Sequence, residues 1–560
     1  MAQPPRLTPA NALRAGAAAF QARRYDEAHQ LLAGLSHPQA LNMAAVSAQK
    51  LGNGDGAAAL FAKASRLAPT DADIANNRGH FELERSDMAA AERWFRAALS
   101  ARPNLVAAGI GLAKVQAARN AWGQAADAWR NVLASAPTSR AARYGLGTAL
   151  LESGQVEAAA DLFQDLLNER DAPAVAYMLG RACLELNAFE RAEPYLTEAH
   201  SAAPSIHSLR TLANLYWMQG ETSAFDRLVE RAPPALRTLA IRLVLETGDT
   251  ARAQMAWDKA FRGDTHETDA WTLAALIARE AGDSARAASA ADKALSLAPA
   301  DQAAMDARIV ADLMLGDPDA ALARLRPLRS ADPQGQLWLG HESVARRMAG
   351  HATVSGLCDT DRYVRAYTIA PPEGFGSLDG FNRALADVMR DLHNFTVRPL
   401  DQSLRGGTQT TRNLLDYDHP LIKAYIAALD APIRQYLTDI GRAPDHPMTA
   451  RNTGDYRFKG MWSVRLTGAG YHEAHMHPEG WISSAYYVAV PGGTAEAEDK
   501  AGWIGFGKPP YATRPDLDAL KWVAPKVGMV VLFPSYMWHG TRPISDTAER
   551  MTAPFDLLPG

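Results

Sequence analysis

Residues 88–104 read MAAAERWFRAALSARPN, and residues 122–138 read WGQAADAWRNVLASAPT. Laid side by side, the two stretches keep step at a spacing of 34: Ala91 falls on Ala125, Phe95 on Trp129, and Pro103 on Pro137. The same step reaches back to Pro69 and forward to Ala159 and Phe163, and a second small-residue series, Gly79, Ala113 and Gly147, runs in phase with it. A small residue lets two helices approach closely, the ring four positions on plugs the adjacent hole, and the proline stops the second helix of each pair. One such unit cannot bury its apolar face alone, so successive copies must stack. The phase continues with Gly180, Ala192 and Pro204, blurs between about residues 205 and 265, and returns with Ala275, Gly282, Ala287 and Pro299; a last proline, Pro333, follows 34 later.

These positions resemble tetratricopeptide repeats. The resemblance implies an all-α superhelical solenoid over residues 1–350, with a concave groove suited to a peptide or an extended protein segment. A groove does not by itself assign a function, because such an array can equally serve as a dimer interface or as a cover for a neighbouring domain.

The bulk composition narrows the class. At 560 residues the chain is too long for one core, and 47% apolar with 21% charged residues is the balance of an ordinary folded protein. Lys and Arg number 58 against 62 Asp and Glu, a net charge of −4, so no general attraction to nucleic acid or an anionic membrane is expected. The opening MAQPPRLTPANALRAG lacks the apolar core of a signal peptide, and no apolar run is long enough to span a bilayer. Cys183 and Cys358 lie far apart in sequence, which suits a reducing compartment, and the expected location is the cytoplasm.

From about residue 350 the alanine-rich rhythm gives way to aromatic, Gly and Pro residues, as in YTIAPPEGFG, which places a second domain over residues 351–560. Helices are predicted near 378–393 and 419–439, the latter with Asp418 as N-cap and Pro420 in its first turn. Short strand-like runs follow: MWSVRLT, with Trp462, Val464 and Leu466 on one face, then WISSAYYVAV, GMVVLFP and RMTAPFDLL. Helices followed by many short strands predict a double-stranded β-helix of jelly-roll or cupin type with flanking helices.

Within that region GYHEAHMHPEGW, residues 470–481, carries three histidines in six positions. On an extended segment His475, His477 and Glu479 share one face, and His472 points to the other as a structural or surface residue. His539 follows the run that ends in Pro534; Arg550 opens the last run, with Thr552 two positions on and on the same face. Two ligands from one strand end and a distant histidine from another can build a three-ligand metal site with open positions, and an arginine nearby can clamp a carboxylate. Arg550 has local alternatives, Asp546 and Glu549, for an ordinary ion pair. The aromatics Trp462, Trp481, Tyr486, Tyr487 and Trp538 are expected in the core, with one tyrosine able to reach a cosubstrate oxygen. Pro554 cannot donate to a ladder, so the last strand is expected to bulge or run along an edge there.

QSLRGGTQT, MWSVRL, HEAHMHPEGWISSAYYVAVP, GWIGFG, LFPSYMWHGTRP and ERMTAPFDLLP together resemble the 2-oxoglutarate- and Fe(II)-dependent oxygenases that bacteria fuse to tetratricopeptide repeats. Over roughly residues 395–560 the resemblance implies His475 and His539 as iron ligands, Arg550 as the anchor of 2-oxoglutarate, Thr552 as a supporting hydroxyl and Tyr487 as a cosubstrate contact. The proximal pair is expected to be His475 and His477, giving His-x-His in place of the wider superfamily's His-x-Asp or His-x-Glu, which makes His477 the third metal ligand; the alternative pair is His477 with Glu479, which keeps His-x-Glu spacing. The expected activity is hydroxylation of a protein or peptide brought in by the repeats. Two other readings remain: a three-histidine cupin-type dioxygenase that does not use 2-oxoglutarate, and a repeat scaffold without catalysis.

Overall fold

The computed structural model describes residues 7–170, 172–262, 265–350, 356–545 and 548–560. It divides into two compact units, Met1–Ala182 and Cys183–Gly560. In the first, helix pairs follow one another at the sequence period: Ala72–Glu84 with Met88–Ala101, Val106–Ala118 with Trp122–Ser135, and Arg140–Glu152 with Val156–Glu169. The residues ahead of the prolines, Ala68, Arg102 and Ala136, leave helical geometry with ψ of 76°, 90° and 71°. The proline ring disfavours the α region at the residue before it, so the helix stops there.

The small residues sit where the period requires them. A Cβ on Gly79 would stand 2.7 Å from the Phe95 ring, and one on Gly147 would stand 2.8 Å from that of Phe163. Ala91, Ala125 and Ala159 are wholly buried, as are Phe95 and Phe163. Close helix approach and ring burial are therefore one feature, and each buried ring contributes on the order of 2–3 kcal/mol.

The second unit opens with more helix pairs. Across the interval where the period blurs the helices persist but shorten, as Thr222–Glu230, Arg237–Glu246 and Thr250–Phe261; pairing survives while the 34-residue step is lost. The step resumes with Thr268–Glu280, Ser284–Leu297, Gln302–Leu315 and Pro318–Ala331, and Gln336–Met348 closes the run. The expected domain junction at 350/351 abuts residues 351–355, which lie outside the described residues.

The remainder is an antiparallel β-rich domain with flanking helices. Its strands are β1 (Arg365–Thr368), β2 (Leu404–Gln409), β3 (Tyr456–Met461), β4 (Val464–His472), β5 (Ile482–Ala489), β6 (Ile504–Phe506), β7 (Lys521–Val523), β8 (Met529–Pro534), β9 (His539–Thr541), β10 (Glu549–Thr552) and β11 (Phe555–Pro559). One sheet runs β1-β8-β5-β10-β4-β2, with β11 pairing β5 and β3; the other runs β7-β6-β9. The central strand β5 is buried along nearly its whole length. Its Tyr486 turns to helix Leu378–Arg390, where the hydroxyl donates to Asn382 Oδ1 at 2.7 Å. Pleating then sends the adjacent Tyr487 to the opposite face.

Several local expectations are corrected. The helix predicted near 419–439 is two, Pro420–Ala428 and Asp430–Ile440. Its N-cap is His419, whose Nδ1 accepts from Leu421 N at 3.2 Å, while Asp418 pairs with Lys423. MWSVRLT is not one strand, since β3 ends at Met461 and β4 begins at Val464. Pro554 ends the ladder more sharply than a bulge: β10 stops at Thr552, β11 starts at Phe555, and the Pro554 carbonyl accepts from Trp462 N at 3.1 Å.

Candidate metal centre

Three imidazoles converge at one end of the β-domain. Nitrogens of His475, His477 and His539 lie within 4.8 Å of one another. The backbone sets them there: His475 N donates to His539 O and His539 N to His475 O, each at 2.9 Å, so the segment after β4 is bridged to the first residue of β9. His477 N reaches Ser535 O, also at 2.9 Å, which fixes the second turn of the segment against the end of β8.

Each ring is oriented through Nδ1. His475 Nδ1 meets Glu473 O at 2.8 Å, His539 Nδ1 meets Met537 O at 2.9 Å, and His477 Nδ1 meets Asp556 Oδ2 at 2.7 Å. All three partners are acceptors only, so Nδ1 carries a proton and Nε2 is the nitrogen turned toward the other rings as a possible ligand. Holding the outer nitrogen in this way fixes tautomer and ring direction for a metal. Desolvation pushes the pKa of His475 down to about 3, with His477 adding to the effect. Burial also drives His539 well below the ordinary value, and the neighbouring imidazoles act in the same direction. Neutral imidazoles are the form that binds a metal ion.

Asp556 was not anticipated from the sequence. It is buried on β11, and its other oxygen accepts from Ser483 Oγ at 2.7 Å. The signal was a lone acid in the apolar run APFDLL, because a buried carboxylate needs a partner. Glu479, by contrast, is exposed and engages Lys459, apart from the converging rings. His472 does not turn away as parity suggested: its ring stacks on His475 with centroids 5.7 Å apart, and its Nδ1 lies 3.0 Å from Ser403 Oγ. Alternation fails because β4 ends at His472 and the chain loses strand geometry before His475.

Arg550, Thr552 and Tyr487 meet on the inner face of the large sheet. On β10, Arg550 and Thr552 lie two apart, and Thr552 pairs across to Tyr487 on β5. The guanidinium carbon stands 5.0 Å from the Tyr487 ring centre. Arg550 is 2% exposed and donates through Nη1 to Gly502 O at 3.1 Å, yet among the described residues neither its Nε nor the Tyr487 hydroxyl makes a well-formed hydrogen bond. Burial lowers the Arg550 pKa and raises that of Tyr487. Glu549, the suggested alternative partner, is instead held by Arg390 and Arg465, and Asp546 lies outside the described residues. Arg550 and Thr552 share a cavity of about 660 Å³ with all three histidines.

The donor set suits a divalent transition metal, and a buried arginine with an idle N–H suits a carboxylate. Comparison with known proteins agrees at the family level. A family model described as "Putative 2OG-Fe(II) oxygenase" matches residues 460–556, and models described as "Tetratricopeptide repeat" match residues 42–105, 117–182 and 238–302. The chain thus joins segments that match tetratricopeptide repeats to a C-terminal segment that matches the "Putative 2OG-Fe(II) oxygenase" model.

Among solved structures it is similar to a tetratricopeptide repeat protein from Parabacteroides merdae, at 16% identity over 49% of this chain and 98% of that one, TM-score 0.34. It is also similar to the C-terminal part of a TPR repeat-containing protein from Cytophaga hutchinsonii, at 13% identity over 53% of this chain and 98% of that one, TM-score 0.31. A third is MamA from Desulfovibrio magneticus, at 19% identity over 30% of this chain and 97% of that one, TM-score 0.28. No curated protein matches the chain. No helix among the described residues is long and apolar enough to cross a membrane.

Proposed function

We propose that this chain is a non-haem Fe(II)- and 2-oxoglutarate-dependent dioxygenase of the cytoplasm that hydroxylates a protein or peptide, with a repeat domain over residues 1–350 and an oxygenase domain over 351–560. The observation that carries the reading is the meeting, in one cavity, of a converging imidazole triad with a buried guanidinium whose Nε has no hydrogen-bond partner among the described residues. His475, His477 and His539 hold the iron, and Arg550 receives the distal carboxylate of 2-oxoglutarate. Tyr487, kept protonated by burial, and Thr552 supply hydroxyls to the same carboxylate. The strand order, with β8-β5-β10-β4 in one antiparallel sheet and β7-β6-β9 in a second, supports a double-stranded β-helix.

Bound Fe(II) would supply the chemistry by which dioxygen, with 2-oxoglutarate as the two-electron donor, is divided between a substrate C–H, converted to C–OH, and the cosubstrate, which leaves as succinate and carbon dioxide. The chain's own contribution is preorganisation. Asp556 keeps the His477 proton on Nδ1, the carbonyls of Glu473 and Met537 do the same for the other two rings, and the shielded cavity strengthens the pull of Arg550 on a carboxylate. Support for a peptide substrate comes from a second cavity of about 870 Å³, lined by Leu245 and Leu276 of the repeat helices and by His472 and His475. His472 and His475 line both cavities, so an extended segment lying along the helices reaches the triad.

The all-imidazole donor set favours one second reading, a three-histidine dioxygenase that does not use 2-oxoglutarate. Iron content and succinate release decide between them. The proposal expects one iron per chain and succinate formed from 2-oxoglutarate; iron without succinate would select the second reading, and no iron at all would leave a repeat scaffold.

A further inference from the structure

The last repeat helix, Gln336–Met348, packs behind the triad. Gly340 faces Met476, the residue between two of the histidines: a Cβ added there would stand 2.5 Å from Met476 Sδ and 3.0 Å from the Tyr536 carbonyl. The Gly340 carbonyl accepts from Trp538 Nε1 at 3.2 Å, and Trp538 directly precedes His539. Met476 and Trp538 belong to one apolar cluster with Trp338, Val344 and Met348 of this helix. Two turns beyond Gly340, Arg347 bonds the Gly507 carbonyl and reaches Asp518 O at 2.8 Å, while Gly507 N donates to Trp538 O at 2.7 Å. His341 adds a buried bond, Nδ1 to the Tyr511 hydroxyl at 3.0 Å, its Nε2 lying 2.7 Å from Asp306 Oδ1. A single helix of the repeat array therefore touches the neighbours of His475, His477 and His539 at once.

We infer that this helix is a brace for the metal ligands, with Gly340 as its positioning residue: the repeats hold the triad in binding geometry as well as meeting substrate. The inference rests on the triad being the iron site. The lack of a Cβ at residue 340 is what lets the helix seat against Met476 and the Tyr536 backbone. Met476 Sδ, at 2.5 Å the closer of the two, is packed against the apolar cluster of Trp338 and Trp538, so displacing it pulls on the backbone between His475 and His477, while the Tyr536 carbonyl at 3.0 Å has to give by only a few tenths of an ångström. A side chain at 340 consequently shifts both ligand-bearing segments together. Conversely, whatever reshapes the last repeat changes the metal site without touching it.

The test is a Gly340→Ala variant of the full chain, a Gly340→Ala/Met476→Ala double variant that restores space, and wild type. In metal-free protein, hydrogen exchange at the His475 and His539 amides, which bond across the two segments, is expected to quicken in the single variant and to recover in the double. Titration with Fe(II) alone is expected to show a roughly 10-fold or greater loss of affinity in the single variant, the scale seen when groups that orient ligands are disturbed, with recovery in the double. Circular dichroism should stay unchanged. A Trp538→Phe variant, which keeps the ring and deletes the bond to Gly340, is expected to lose affinity in the same direction. Wild-type exchange and affinity in Gly340→Ala would overturn the brace, as would a loss that the second substitution does not relieve. If wild type takes up no iron, the proposed function falls, while the exchange measurement on metal-free protein still decides the brace.

Discussion

Asp556 is the residue on which the His477 tautomer turns. Its carboxylate receives the His477 Nδ1 proton and is itself steadied by Ser483, which also lies 2.9 Å from Ser535 Oγ. Replacing Asp556 with Ala should lower Fe(II) affinity roughly 10–100-fold while leaving the fold intact, as measured by metal titration beside a thermal melt. His539→Ala removes one of the three proposed ligands and should abolish stoichiometric iron; full iron content in that variant would refute the ligand set. His475, His477, His539 and Arg550 were legible because histidines at i, i+2 ahead of a strand, a distant histidine and a trailing arginine are chemically distinctive in any order of packing. Asp556 was not, because its role depends on β11 lying beside the end of β5, a pairing that no local spacing encodes.

Among the elements, the repeat hairpins were the most legible, since period, small residue, ring and proline are all local signals. Phe163 shows how much rests on them: it fills the space that Gly147 leaves and packs against the Tyr144 ring at 5.9 Å. Phe163→Ala should cost about 3–5 kcal/mol in the unfolding of the repeat unit, read from denaturant titration. The short helices from Thr222 to Phe261 escaped the period because their lengths changed, although their pairing did not. Strand ends were the least legible. The breaks at Trp462–Ser463 and at Ala553–Pro554 follow from strand partners far apart in sequence, as the bond from Trp462 N to Pro554 O illustrates. For the same reason parity misplaced His472, whose ring lies against His475.

For the molecule as a whole, the buried imidazoles tie stability to pH. His393 bonds Thr408 Oγ1 at 2.8 Å and Ser463 Oγ at 3.0 Å, and burial, helped by Arg465, pushes its pKa down to about 4. The unfolded chain takes up that proton near pH 6.5, so the stabilisation is present above 6.5 and is lost as pH falls toward 4, by about 3 kcal/mol in all. His393→Asn should flatten the fall in unfolding free energy between pH 7 and pH 4, measured on metal-free protein by denaturant titration.

The central claim, that the imidazole triad and Arg550 form one iron and 2-oxoglutarate site, is tested most directly by loading the protein with Fe(II) without oxygen and titrating 2-oxoglutarate while following the visible charge-transfer band that chelation produces. The band should appear in wild type, require much more 2-oxoglutarate in Arg550→Met with iron content unchanged, and be absent in His539→Ala. Stoichiometric iron with no band at any 2-oxoglutarate concentration, or an unaltered titration in Arg550→Met, would contradict it.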